Sequence, residues 1–239
     1  MKLIKDDDQQ QQNMKMQSTI AIAIIVGIAL LGIVIFGMFR DFDAQGYVKA
    51  VLAQTFTGNV EAASQIMEGT TEEELAAQYE LGIQAFVTSN ITGGVEMSSE
   101  LQEKYVSLCK DIFKSAKYEI KEAEKISKKE YKVPVEYRTS DFMKQYAEAV
   151  AAEWDKLLKT VDKGSQYSGS QEEILAQMQK DFLENSYQLL EQSYKDAEYA
   201  EKETMIFTVR KNVDDLYTIE EGEVHQFIVK IMGLDEIQD

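Results

Sequence analysis

Hydrophobic positions follow two different spacings along residues 40–239. Over most of this part, apolar side chains recur every three or four residues, which is the period of a helix with one buried face. We expect helices to begin near Ala44, Thr71, Ser99, Phe142, Ser170 and Thr218, with a short amphipathic piece around Ile66 and Met67. Three of these starts have the Ser/Thr-x-x-Glu form of a capping box, which satisfies free backbone N–H groups at a helix start. They are Thr71–Glu74, Ser170–Glu173 and Thr218–Glu221.

The spacing changes to two in the segment KYEIKEAEKISKKEYKVPVEYRT, which begins at Lys117. One face of its second half carries Tyr131, Val133, Val135 and Tyr137. The segment is typical of a β-hairpin, with its connection at Ser127–Glu130. Pro134 is the only proline of the chain and lies on the opposite face. Because proline cannot donate to a strand ladder, the second strand is predicted to be an edge strand, or to be bulged at Pro134.

A second hairpin is predicted after the helix that starts at Ser170. Met205, Phe207 and Val209 alternate with polar residues, a turn falls near 212–215, and a short strand follows at 216–218. The order helix–hairpin–helix thus occurs twice. Strands this short must pair with each other and bury one face under helices, so the predicted fold class is α+β with antiparallel β-hairpins packed on several helices. One domain and two similar halves, about 40–140 and 141–239, both remain open.

The run STIAIAIIVGIALLGIVIFGMF covers residues 18–39 without a charged side chain. A helix over Thr19–Phe39 would span roughly 31 Å, which matches the hydrocarbon thickness of a bilayer. No Ala-x-Ala cleavage site follows the run. A lipoprotein would need a cysteine there, but the only cysteine is Cys109. An uncleaved signal-anchor helix is therefore favoured over a cleaved signal peptide.

The basic residues near this run predict its orientation. Lys2, Lys5 and Lys15 precede it, and Arg40 and Lys49 follow it. The positive-inside rule then favours a cytoplasmic N-terminus and an exported C-terminal domain. With one predicted span, the chain is expected to be a single-pass protein of the cell membrane. Residues 1–17 would be a short polar cytoplasmic tail, 18–39 would contact the lipid bilayer, and 40–239 would form an extracellular domain.

Charge and cysteine content limit the function classes. The chain has a formal net charge of −17 at pH 7. A surface of that sign repels phosphate backbones, so we expect no nucleic-acid partner. A single cysteine cannot form an intramolecular disulfide, which suits an exported domain of a Gram-positive type of envelope better than one of the endoplasmic reticulum.

No residue carries a recognisable catalytic, cofactor or metal signature. His225 is the only histidine and lies in the last predicted helix, while Cys109 lies on the apolar stripe of its helix, where a buried, inert thiol is usual. Acidic clusters occur at 72–74, 214–215 and 220–223, but carboxylates in the first turn of a helix are explained by the helix dipole. We therefore assign no catalytic, cofactor-binding or metal site and expect no cofactor.

Three aromatic residues on strand faces could serve either of two purposes. Tyr131, Tyr137 and Phe207 could line a ligand cavity between sheet and helices. Residues of this kind more often form the core itself, and we expect that here.

The segments YEIKEAEKISKKEYKVPVEY and LYTIEEGEVHQFIVKIMG resemble a domain of unknown function found in exported lipoproteins and membrane-anchored proteins of Gram-positive bacteria. The resemblance covers roughly Asp41 to Asp239 and is a pattern of strands and helices rather than a catalytic motif. It implies an extracytoplasmic α+β domain of the cystatin or nuclear-transport-factor-like kind. Many relatives carry a lipid-attachment cysteine, which this chain lacks. The resemblance implies no activity and no functional residues.

Function classes remain open at this level. The first is a membrane-anchored binding or scaffolding module of the bacterial cell envelope, which recognises an envelope protein or a small ligand with its sheet face; it is favoured because no catalytic site is visible. The alternatives are an envelope hydrolase that uses carboxylates as acid and base, and an accessory subunit of an envelope machine. A deep pocket with carboxylates of separated pKa would favour the hydrolase, and a shallow exposed patch would favour binding.

Overall fold

The computed structural model describes residues 42–66, 70–162, 167, 169–213 and 216–237. These residues form an α+β fold, as predicted. The helices are α1 (Ala44–Thr57), α2 (Glu61–Ile66), α3 (Glu72–Phe86), α4 (Ser99–Lys114), α5 (Phe142–Asp162), α6 (Gln171–Asp196) and α7 (Glu223–Ile231). The strands are β1 (Lys117–Ile120), β2 (Glu124–Ser127), β3 (Glu130–Ser140), β4 (Tyr199–Lys211) and β5 (Tyr217–Ile219).

The predicted cytoplasmic tail and membrane helix, residues 1–39, lie outside the described part of the chain. Within that part, none of the helices combines the length and the apolar character needed to span a bilayer. The predicted anchor and its single-pass topology therefore stay predictions.

Two of the three predicted capping boxes are confirmed. At the start of α3, the Glu74 amide donates to the Thr71 hydroxyl and the Thr71 amide donates to the Glu74 carboxylate. Ser170 and Glu173 make the same exchange at the start of α6. Each box satisfies two backbone donors that the first helical turn leaves free.

The third predicted box, Thr218–Glu221, is wrong. Residues 217–219 form β5, where Thr218 pairs with Arg210 of β4. Helix α7 instead begins at Glu223, after Gly222 with a positive φ of 84° and no side-chain cap. Pairing with a distant strand thus overrides the local capping signal.

Both predicted hairpins are present and join in a single antiparallel sheet. The strand order is β1–β3–β4–β5, and β2 also pairs with β3. Strands β3 and β4 pair from Glu130↔Arg210 to Ser140↔Tyr199. This pairing connects the two predicted halves of the domain through their backbones.

The prediction of an edge position for the strand with Pro134 is wrong, because β3 is paired on both sides. The Pro134 carbonyl accepts from the Lys121 amide at 2.8 Å and therefore points towards the first arm of the hairpin. Because the N–H and C=O of one strand residue point to the same side, the N–H that proline lacks would also have pointed towards that arm. That arm is interrupted there, between Ile120 of β1 and Glu124 of β2. The irregularity that proline requires is therefore built into the neighbouring strand.

The core lies between the helices and one face of the sheet. Tyr131, Tyr137 and Phe207 are all buried there, which confirms the core interpretation of these aromatic residues. Phe227 of α7 lies at the centre of the layer and is fully buried. Its ring centroid lies 5.3–5.9 Å from those of Phe56, Tyr118, Tyr137 and Phe207. Burial of one such side chain contributes about 1.5–3 kcal/mol.

Helices α5 and α6 pack against each other and carry a second, smaller apolar cluster. It consists of Leu157, Tyr167 and Met178, with Ile174 and Phe182 packed against it. A hydrogen bond connects α6 of this pair to α4: the Tyr105 hydroxyl of α4 donates to the Leu183 carbonyl of α6 at 2.8 Å.

Candidate binding surface

The second face of the sheet, called here the outer face, is largely polar. Alternation along β3 and β4 places on it the side chains that point away from the core. In register, the cross-strand pairs are Glu130↔Arg210, Lys132↔Thr208, Pro134↔Ile206, Glu136↔Thr204 and Arg138↔Lys202. All of these residues except Thr208 are exposed or half-buried.

Ion pairs neutralise many of the outer-face charges. The Glu136 carboxylate contacts Lys202 Nζ at 2.7 Å and Lys121 Nζ at 3.0 Å. Hydrogen bonds from these two ammonium groups, first from Lys202, hold the pKa of Glu136 below its ordinary value. Arg210 is similarly placed between Glu130 at 3.1 Å and Glu220 at 3.2 Å. Lys132 and Arg138 on the same face form no ion pair within the described residues, so the outer face keeps some positive charge beside these pairs.

An apolar pair interrupts the charged rows. Ile206 is 42% exposed and lies opposite Pro134. A shallow hollow of about 180 Å³ lies on the same sheet, between side chains of β1, β3 and β4 that include Glu136 and Lys202. The outer face is thus a shallow surface rather than a deep pocket.

One edge of β4 is left without a partner strand. β5 pairs only with the last residues of β4, beginning at Val209. Among the described residues, no strand pairs with the part of β4 that precedes Val209 on the side opposite β3. The segment Lys202–Ile206, called here the β4 edge segment, is exposed except for the half-buried Met205.

The hydrogen bonds further along β4 show which backbone groups point out of this edge. The Asn212 amide donates to Leu216, and the Glu220 amide donates to the Thr208 carbonyl, both on the β5 side. The Lys211 amide donates to Lys129, on the β3 side. Because successive strand residues alternate in direction, the N–H and C=O groups of residues 202, 204 and 206 point away from β3.

Glu223 marks the end of strand pairing along this edge. Its carboxylate accepts the Thr208 amide at 2.7 Å, in the place that a carbonyl of a longer β5 would take. Burial is the main influence on this carboxyl group and raises its pKa above the ordinary value, against the opposing effect of the hydrogen bond from Thr208. Beyond this contact the edge is open to solvent.

Two carboxylates lie on the core side of the edge segment. Glu201 and Glu203 are both exposed, and Glu203 accepts the Tyr137 hydroxyl at 3.0 Å. Burial, followed by the contact with Glu203, raises the pKa of Tyr137 to about 12, and the charge of Asp235 adds to this effect. Asp235 itself lies 3.8 Å from Lys230 Nζ, which balances part of its charge.

Two further grooves lie between helices. The larger one, about 790 Å³, lies between α4 and α6 and is lined by Glu100, Lys104, Glu184, Tyr187 and Glu191, among others. A groove of about 430 Å³ lies between α3 and α4. Both grooves are open and are lined mainly by polar side chains. Some of their charged lining residues neutralise each other in the ion pairs Lys104–Glu100 and Lys110–Glu80.

The two reactive residues that the sequence singles out lie apart from the outer face. Cys109 is fully buried in α4, as predicted, and burial raises the pKa of its thiol to about 12. A thiol in this environment is a poor nucleophile at neutral pH. His225 lies in α7, as predicted, and its buried Nδ1 has no hydrogen-bond partner among the described residues.

The predicted acidic clusters do not form a metal site in the described part of the chain, where no group of three or more potential ligands converges. Residues 72–74 occupy the first turn of α3, as predicted, and Glu223 occupies that of α7. Residues 214–215 lie outside the described residues. Carboxylates with shifted pKa are distributed over capping boxes, surface ion pairs and the β4 edge.

Sequence reasoning missed the β4 edge segment and the role of Glu223. The only available signal is the difference in length between the strands of the second hairpin. β4 has 13 residues and β5 has 3, so most of β4 must find its pairing partner elsewhere or remain open on one side.

Comparison with known proteins shows no matching family model and no matching curated protein. Among solved structures, the chain is similar to the crystal structure of a presumed lipoprotein, ycdA, from Bacillus subtilis, with a TM-score of 0.46 and 15% sequence identity. The match covers 77% of this chain and 54% of that chain, so this chain spans about half the length of that protein. The predicted resemblance to a cystatin or nuclear-transport-factor-like domain stays a prediction.

Proposed function

We propose that this protein is a binding or scaffolding module of the bacterial cell envelope, held at the membrane by residues 18–39 and working on the extracytoplasmic side. The module recognises its partner through the open side of the sheet. The single observation that carries the binding role is the β4 edge segment, which presents unpaired backbone groups beside a largely polar outer face.

An open sheet edge supports binding for a physical reason. Unpaired N–H and C=O groups in an extended conformation form a ready template for another strand. Proteins usually shorten or cover such edges, since they promote unwanted association. Here β4 extends well past β5. Within the described residues, two contacts at Thr208, one with Glu223 and one with Glu220, close the edge next to β5.

The location is supported by the sequence. The uncharged run at 18–39 has the length of a bilayer span, and its flanking basic residues favour a cytoplasmic N-terminus. A domain on the extracytoplasmic side would meet the envelope proteins or ligands that the open sheet can recognise.

Protease shaving of intact cells tests the location. We expect external protease to digest residues 40–239 while a fragment containing 18–39 stays in the membrane, as mass analysis of both fractions would show. A cytoplasmic protein in the same cells is the control for lysis. Protection of the domain until the cells are lysed would place it in the cytoplasm and reject the envelope role.

Site-specific photo-crosslinking in intact cells tests the binding role. A photoreactive amino acid at position 206, on the open side of β4, should give discrete adducts of higher mass. The matched control is position 175 on α6, because Leu175 is a similar side chain and is 52% exposed. Adducts of equal yield from both positions, or from neither, would contradict recognition by the sheet.

A further inference from the structure

We propose that the β4 edge segment binds an extended, basic peptide segment of a partner protein as an added strand. The inference rests on the proposed binding function and deepens it, since it names the binding mode and the chemistry of the partner. Strand addition uses backbone hydrogen bonds for affinity and alternate side chains for specificity.

The backbone of the edge segment is arranged for this mode. Residues 202, 204 and 206 point three N–H and three C=O groups away from β3, and no described strand covers them. The opposite edge of the segment is paired with β3, so the segment is already held in the extended conformation. A peptide of about five residues, roughly 17 Å long, would pair with it completely.

The charge beside the edge selects a basic partner. On the outer-face side, Lys202 is paired with Glu136 at 2.7 Å, and the Arg138 guanidinium donates to the Ala200 carbonyl at 3.3 Å. Basic side chains of an added strand are therefore expected on the core side of the edge. On the core side, Glu201 and Glu203 are exposed and form no ion pair within the described residues. Lysine or arginine at alternate positions of an added strand would therefore lie beside these carboxylates.

Side-chain contacts along the edge specify the rest of the peptide. An added strand places its other side chains on the outer face, next to Thr204 and the exposed Ile206. Small β-branched residues fit this position. The preferred partner segment thus alternates basic and β-branched residues.

A second copy of this chain is a less favourable occupant. In an antiparallel pair of two edge segments about a two-fold axis, Glu201 and Glu203 of both copies would lie on one face of the joint sheet. Four carboxylates in that arrangement repel one another, and the formal net charge of −17 on each chain adds to the repulsion.

The test uses the full chain in detergent micelles and a fluorescent probe peptide, Lys-Val-Lys-Val-Lys-Val-Lys with blocked ends. Fluorescence anisotropy measures its dissociation constant, and hydrogen exchange measures protection of the amides of residues 202, 204 and 206. We expect saturable binding that protects these amides. A peptide with glutamate in place of lysine should bind at least about tenfold more weakly.

Backbone methylation of the probe separates strand pairing from general charge attraction. Alternate residues of an added strand point their amides towards β4, so methylation of either the valine or the lysine amides should abolish binding while methylation of the other set should not. A block by valine methylation indicates antiparallel pairing, and a block by lysine methylation indicates parallel pairing. Equal binding of both methylated peptides would overturn the proposal.

Variants of the chain supply the second test. Thr204→Pro removes the central outward amide at a position where an edge strand tolerates proline, and it should weaken binding at least about tenfold. Thr204→Val keeps the amide and should bind within about twofold of the original chain. Glu201→Lys should weaken binding, whereas the charge-matched control Glu103→Lys on α4 should not.

The remaining outcomes also decide the question. Circular dichroism establishes that each variant is folded, and light scattering establishes its association state. No binding of the probe to the folded chain, or equal binding by Thr204→Pro and Thr204→Val, would reject strand addition. A dimer of the original chain that Thr204→Pro dissociates would assign the edge to a second copy. Protease shaving, which tests location, does not depend on any of these results.

Discussion

The two faces of the sheet differ in what they contribute: one face of β3 and β4 forms the core, and the other is the face proposed here for recognition. On the core face, Phe227 contacts four aromatic rings and is fully buried. On the outer face, the same strands carry ion pairs such as Lys202–Glu136, with both side chains partly exposed. Apolar burial is worth several times more than an exposed ion pair. The core face should therefore supply most of the folding free energy, and substitutions on the outer face should change stability little.

The largest effect should follow from a change on the core face. Phe227→Ala leaves a cavity among four aromatic neighbours and should lower the free energy of unfolding by about 3–5 kcal/mol. Urea unfolding followed by circular dichroism measures the change. Ile206→Ala on the outer face is the matched control and should stay within about 0.5 kcal/mol of the original chain. Similar losses for both variants would contradict the difference between the faces.

Thiol labelling compares the two faces by accessibility. Cys109 is fully buried with its pKa raised to about 12, so its thiol should react only when the structure opens. In the variant Ile206→Cys, the introduced thiol on the outer face should be alkylated at least about a hundredfold faster at pH 8. Mass analysis of the two peptides gives both rates in one sample, and the rates should converge in urea. Fast labelling of Cys109 in the folded protein would show that the helix layer opens readily.

The boundary between paired and open β4 depends on Glu223. Glu223→Ala leaves the Thr208 amide without its acceptor and should cost about 1–2 kcal/mol of unfolding free energy. Glu223→Gln keeps an acceptor oxygen and should cost less. Hydrogen exchange of the Thr208 amide should accelerate in Glu223→Ala and much less in Glu223→Gln. Equal exchange in both variants would show that another group closes the edge.

The same residue predicts a pH dependence with a definite sign. Burial raises the pKa of Glu223 in the folded state above its ordinary value of 4.5. The folded state therefore retains the proton to higher pH than the unfolded state does. The stability contribution of the protonated group is complete below pH 4.5 and is lost as the pH rises through the folded pKa. Relative to Glu223→Gln, the original chain should lose stability over this interval, as urea unfolding at several pH values would measure.

The smallest effect should come from the outer-face ion pairs. Lys202→Ala removes the contact with Glu136 and should lower the unfolding free energy by less than about 1 kcal/mol, since exposed ion pairs contribute little. High salt should reduce the difference further. Lys180→Ala on α6 removes a longer helical contact of 3.9 Å and is the matched control, with an even smaller effect. A loss that persists in high salt would show that Lys202 contributes by packing as well as by charge.

Periodicity was sufficient for elements whose signals are local. The alternation of Tyr131, Val133, Val135 and Tyr137 correctly predicted β3 and its buried face. The capping boxes at Thr71 and Ser170 were also correct. Each of these features depends on residues within a few positions of one another, where steric and hydrogen-bonding preferences act directly.

The errors occurred where a distant segment altered a local preference. Pro134 favours an edge, yet β3 became central because an interruption between β1 and β2 accommodates its missing donor. Thr218 begins a capping-box pattern, yet it pairs with Arg210 and belongs to β5. In both cases strand pairing contributes more than the local signal.

The sequence by itself determined the α+β class, every predicted helix start except the one at Thr218, and the buried face of each hairpin, because these depend on side-chain spacing along one segment. It also determined the uncharged run at 18–39 and the acidic surface. Only the tertiary structure decided that β3 pairs with β4 and that the β4 edge stays open before Thr208. The physical reason is that strand pairing joins residues such as Glu130 and Arg210, which lie far apart in the chain and carry no mutual signal in their local patterns.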